Sequence, residues 1–183
     1  MQLKQLFVLI LAFLALQISV GQERYKTSEG VVAIDASSPL EDIKAVNNKV
    51  NAILDTRTGE MAVVLLIKDF EFRRRLMQEH FNENYRHSDK YPKAIFTGTI
   101  PEFDLGDISS QNSTHKLEGE ITIHGITRPL STDITLRKNE KGVVCSLEFI
   151  IRTEEHKIKV PRVVFKKVAQ EVNVTSEFHL DPQ

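Results

Sequence analysis

The chain has 183 residues, a net charge of −1 and 41% hydrophobic residues, enough for one domain with a sizeable core. Near-neutrality excludes nucleic acid as the main partner, because phosphate binding needs a concentrated basic surface. The single cysteine, Cys145, excludes an internal disulfide framework.

At the start, Lys4 precedes an unbroken apolar run from Leu6 to Leu16, followed by small residues at Ser19 and Gly21. That is the pattern of a secretory signal peptide cleaved after Gly21, and the run is short of the roughly 20 apolar residues of a membrane span. The expected organisation is a leader over residues 1–21 and a single domain over 22–183. The protein is then exported, periplasmic or secreted, with no stable membrane span once the leader is removed.

Beyond the leader, most of the chain alternates with a period of two. Strands are expected at Gly30–Ala36, Lys49–Asp55 and Glu60–Ile67, the last apolar on both faces. Phe72, Leu76, Met77, His80 and Phe81 then fall at i, i+4, i+5, i+8 and i+9, one stripe of a short helix whose other face (Arg74, Arg75, Gln78, Glu79, Asn82) suits solvent. The polar run Asn82–Lys90 reads as a loop. Pro92, which has no N–H to donate, closes that loop before a strand at Ala94–Ile100.

The second half of the chain holds further strands. Leu117, Gly119, Ile121 and Ile123 share one face, as do Leu130, Thr132, Ile134 and Leu136. Val143, Cys145, Leu147, Phe149 and Ile151 share another, and the last set is Val172, Val174, Ser176, Phe178 and Leu180. Arg57-Thr58-Gly59, His124-Gly125 and Asn139–Gly142 supply turn chemistry between them. Val160–Ala169, with Pro161 near a first turn, is expected as a second short helix, with an irregular strand as the alternative. Consecutive strands without long crossovers make an all-β antiparallel meander, either a sandwich or, preferred here, a closed up-and-down barrel of about eight strands capped by one or two short helices. A barrel of that size can hold one small ligand.

Three blocks carry a family resemblance. MQEHFNENY with SDKYPKAIFTG (Met77–Gly98), LEGEITIHGITRPL (Leu117–Leu130) and IKVPRVVFKKVAQEVNVTSEF (Ile158–Phe178) resemble the YceI-like family of exported lipid- or polyisoprenoid-binding domains. The resemblance implies an extended lipocalin-like barrel with an internal tunnel for a long isoprenoid chain. The family often continues into an Arg-Ser/Thr-Asp-Phe-like turn where this chain has Arg152-Thr153-Glu154-Glu155-His156, a departure at one tunnel mouth.

The expected partner is accordingly an isoprenoid lipid or isoprenoid quinone, bound by a monomer or homodimer without cofactor. Phe72, Leu76, Met77, Phe81 and Phe96 are the candidate lid and tunnel contacts. Leu117, Ile121, Ile123, Ile134, Leu147 and Phe149 serve either as barrel core or as tunnel lining. The Arg73–Arg75 cluster is a solvated helix face or a head-group site.

Recognised catalytic signatures are missing. The six histidines form no H-x-x-x-H or H-E-x-x-H pair, so no metal site is expected. Cys145 sits among apolar residues as a small core side chain. A non-enzymatic carrier is the main expectation. The alternative is a barrel hydrolase or isomerase acting on a lipid-like substrate through His80, His124 or Glu79, which requires those groups to converge on one polar pocket.

Overall fold

The computed structural model describes residues 24–85, 90–158 and 170–183, with the backbone alone for 80 and 82–85. The expected leader, part of the polar loop (86–89) and the expected helix at 160–169 lie outside the described residues.

Among the described residues the chain forms β1 (Arg24–Asp35), β2 (Lys44–Asp55), β3 (Glu60–Leu66), β4 (Glu71–Phe72), β5 (Lys93–Thr99), β6 (Ser113–Ile123), β7 (Ile126–Lys138), β8 (Val143–Arg152) and β9 (Glu171–Pro182), with one α-helix, α1 (Arg75–Tyr85). The eight long strands pair antiparallel in sequence order, and β1 pairs with both β2 and β9, so the sheet closes into a barrel. The ninth, β4, is a two-residue flap that sets Phe72 against Ala45 of β2. This is the all-β up-and-down barrel expected from the alternation, and closure of β1 on β9 removes the two outermost edges that an open sheet would leave.

The turns form for local reasons. Asp55 accepts hydrogen bonds from the N–H groups of Arg57 (3.0 Å) and Thr58 (3.2 Å), and Gly59 takes a φ of 71° that a side chain would resist. Asn139 accepts from the N–H groups of Lys141 and Gly142 between β7 and β8. His124 and Gly125 both have positive φ (53° and 71°) and make the two-residue turn, of the kind favoured in hairpins, that joins β6 to β7.

The two ends of the barrel differ. At the turn end lie both described termini and the β2–β3, β5–β6 and β7–β8 connections. Here the β5–β6 connection folds inward, with Ile100 at 0% and Ile108 at 2% exposure, held by Lys138 Nζ donating to the Leu105 carbonyl (2.7 Å). The interior above it is solid: Leu54, Leu117, Ile134, Leu136 and Cys145 are fully buried. At the helix end lie the β1–β2 loop, α1, the His124-Gly125 turn and the connection after β8.

Candidate ligand-binding lumen

Inward-facing side chains form a graded interior. Moving from the turn end towards the helix end, the same alternating faces pass from fully buried residues to Ile121 (9%) and Phe96 (8%). Beyond these, Ile34, Val63, Ile123, Leu130, Leu147, Phe149, Ile151 and Val172 are only partly buried, although they pack against the core. The inward face at this end is largely apolar and only partly buried. That combination suits an apolar chain, because each buried CH₂ contributes about 0.8 kcal/mol.

Glycines give the interior its width. Gly98 on β5 and Gly119 on β6 stand opposite each other, and the edge of the Phe96 ring lies 2.5 Å from where a Cβ at 98 would be. Phe178 occupies the corresponding space at Gly30. Aromatic rings can therefore lie flat against the wall instead of crossing the lumen.

The sequence-derived candidates fall into two groups. Phe96, Leu117, Ile121, Ile123, Ile134, Leu147 and Phe149 all face inward: Leu117 and Ile134 in the solid part, Ile123, Leu147 and Phe149 in the accessible part. The lid residues are placed differently from expectation. Phe72 belongs to β4, not to the helix. Leu76 points outward and is 55% exposed, whereas Met77 and Phe81 are half-buried. Gln78, expected on the solvent face, anchors α1: its Oε1 accepts from the Phe72 N–H (2.8 Å) and its Nε2 donates to the Phe70 carbonyl (3.2 Å). The physical reason is that the expected stripe took Phe72 as its first member. With Phe72 held in a strand, stacking of Phe81 on its ring (centroids 4.8 Å apart) and the Gln78 bonds set the helix phase instead.

The polar groups at this end are engaged with one another. Arg74 pairs with Glu41 of the β1–β2 loop, and Arg75 Nε with Glu79 Oε1 at 2.9 Å; two of the three clustered arginines thus meet carboxylates, and Arg73 is exposed. His124 Nδ1 donates to the His156 carbonyl and His156 Nδ1 donates to the Ile126 carbonyl, each at 3.1 Å. Tyr91 packs edge-on against His124 with centroids 5.1 Å apart. Of the groups named for a catalytic role, Glu79 lies on the outer face of α1 with Arg75, His124 lies in the β6–β7 turn, and the side chain of His80 is outside the described residues. Among the described residues no three His, Cys, Asp or Glu side chains are grouped to hold a metal ion. Burial pushes the Cys145 thiol up to about 12, which leaves it protonated and unreactive at neutral pH.

Leu130, Ile151 and Val172 at the mouth, with Gln78 and the buried His156 (2% exposed), are absent from the sequence-derived set. Alternation identified the faces of the first three. Their height along the barrel axis follows from strand register, which no single strand encodes. His156 lies in the short turn after β8, where no periodic pattern marks a buried residue.

A profile of the YceI-like domain matches residues 20–180. No curated protein matches the chain. Among solved structures the chain is similar to a polyisoprenoid binding domain from Saccharophagus degradans implicated in plant cell wall breakdown, with a TM-score of 0.72 and 10% identity over 88% of this chain and 99% of that one. It is also similar to BcnA from Burkholderia cenocepacia (TM-score 0.65, 14% identity, 81% of this chain and 94% of that one). A third is the YceI protein of Campylobacter jejuni (TM-score 0.56, 16% identity, 75% and 84%). At these identities the likeness is one of fold.

Proposed function

The chain belongs to the YceI-like domain family, and from that premise we propose that it is an exported, non-enzymatic carrier that holds a long apolar amphiphile, a polyisoprenoid or isoprenoid quinone, in the barrel lumen. One observation carries this: the interior is fully buried at the turn end, yet predominantly aliphatic and aromatic and only partly buried towards the helix end, at Ile123, Leu130, Phe149 and Ile151. The similarity in fold to a domain described as polyisoprenoid-binding supports the same ligand class.

The energetics are adequate without a charged anchor. At about 0.8 kcal/mol per CH₂, a five-carbon isoprene unit contributes a few kcal/mol gross. Association costs of about 4–15 kcal/mol are then offset by several units. The apolar run at residues 6–16 followed by small residues supports export. No helix among the described residues is long and apolar enough to cross a membrane.

A carrier of this kind retains its ligand through gentle purification. Native mass spectrometry of the protein isolated from its host should show a mass increment that organic extraction removes and that is identified as an isoprenoid lipid. Recovery of only the unliganded chain, from cells and after incubation with quinone-bearing vesicles, would refute the assignment.

A further inference from the structure

Among the described residues, not every backbone ladder of the barrel wall runs to its helix end. Most seams run to the rim: β6–β7 ends on Ile123 opposite Ile126, β8–β9 on Arg152 opposite Glu171, and β3–β5 on Leu66 opposite Lys93. Two seams stop short. The β2–β3 ladder ends at Asn51 opposite Val64. The gap above it is filled, because β4 pairs with β2 at Ala45 and Val46 and the fully buried Asn47 donates from Nδ2 to the Leu66 carbonyl at 3.0 Å. The β7–β8 ladder ends at Ile134 opposite Leu147. Above that point β7 runs on to Ile126 against β6, and β8 runs on to Arg152 against β9. Among the described residues no strand fills the fork between them.

The fork is written into the chain. Pro129 lies in β7 on the stretch beyond the ladder. It has no N–H to give, and a proline inside a strand is tolerated where one side of that strand is unpaired. Side chains close the fork at both ends in place of backbone pairing. At its base Thr132 Oγ1 donates to the Glu148 carbonyl at 3.0 Å. At the rim His156 Nδ1 donates to the Ile126 carbonyl, and His124 Nδ1 to the His156 carbonyl. The result, among the described residues, is a bounded gap in backbone pairing between β7 and β8.

Its edges are mixed, with apolar side chains on the inward face and at one outward position. Leu130 and Phe149 face inward and are half-buried, and Ile150 faces outward at 53% exposure. Arg128 shares the inward face of Ile121 across β6–β7 and is nevertheless exposed, as expected beside an opening.

The geometry points to this window as a side portal: the apolar tail of the ligand enters the lumen between β7 and β8, and the His124–His156 bridge is the latch that must yield. The portal rests on the carrier function proposed above. A tail that enters sideways leaves the head group at the outer surface, in water, so the polar head group does not have to cross the apolar interior.

The test bridges the fork. Ser131 and Ile150 face outward and would be partners if the ladder continued. The double variant Ser131→Cys, Ile150→Cys, joined by a short bis-maleimide, cannot spread; native Cys145 is fully buried and is spared by the reagent. The control is the same bridge across the intact β5–β6 ladder, Thr97→Cys with Glu120→Cys, also exposed partners. The probe is uptake of ubiquinone from phosphatidylcholine vesicles. The fork bridge should slow uptake by about tenfold while the control bridge does not. Equal rates overturn the portal and assign entry to the open rim. An unmodified protein that takes up no quinone overturns the carrier function itself, and the portal with it. A second variant, His124→Gly, removes the donor to the His156 carbonyl and relieves a positive φ of 53°. It should load about threefold faster or more, and an unchanged or slower rate counts against the latch.

Discussion

Gly98 and Gly119 stand directly opposite one another on β5 and β6, and their backbones approach so closely that a Cβ on Gly119 would meet the Thr97 carbonyl oxygen and come within 2.5 Å of the Gly98 Cα. Neither obstacle is the end of a flexible side chain, so the strands themselves would have to part. Gly119→Ala should therefore destabilise the barrel by about 1–3 kcal/mol, read as a lower denaturant midpoint with an unchanged slope. An alanine variant as stable as the parent would show that the approach is slack.

Gln78 ties α1 to the backbone of Phe70 and Phe72 through two hydrogen bonds, while Leu76 on the same helix is mostly solvated. Gln78→Ala should release the helix locally: hydrogen exchange over residues 76–85 rises by about tenfold, for a cost of about 1–2 kcal/mol, with little change in global stability. Leu76→Ala should alter neither. Equal effects from the two substitutions would reinstate the stripe that sequence periodicity alone suggests.

Cys145 gives the protein an alkaline weakness. Its thiol is pushed up to about 12 by burial and returns to about 8.5 when the chain unfolds. Below that lower value both states hold the proton and stability does not depend on it. Between the two values the unfolded chain releases the proton and the folded chain keeps it, so stability falls as pH rises, by up to about 1.4 kcal/mol per pH unit. Cys145→Ala should remove that component of the slope between about pH 9 and 11. If parent and variant lose stability in parallel over that range, the thiol is not the source.

Phe149 faces inward at the accessible end of the lumen and is only partly buried. Phe149→Lys places a charge against the bound chain but lets the ammonium reach the rim, so folding is spared and binding is not. The expected result is a loss of ligand occupancy of about tenfold or more, equivalent to about 1.4 kcal/mol, by native mass spectrometry. A substitution on the outer face of the neighbouring strand, Thr175→Lys, which is exposed in the intact β8–β9 ladder, should leave occupancy unchanged. Retention of ligand by the Phe149 variant would move the binding site elsewhere in the barrel.

Alternation in the chain was sufficient to determine the class of fold and the facing of nearly every strand. Leu117, Ile121, Ile134, Leu147 and Phe149 point inward as their period of two requires, and Asp55, Gly59, Gly125 and Asn139 make their turns through bonds or dihedrals that belong to those residue types. These are local properties, set by neighbours in sequence. Three things were decided only by tertiary structure. The phase of α1 depends on Phe72 being held in β4 by a strand more than 20 residues away. The division of the inward faces into a fully buried core and a partly buried helix end depends on register around the whole ring. The fork depends on where the β7–β8 ladder stops, and of it the sequence shows only Pro129, a missing donor whose significance appears once the neighbouring strand is in place.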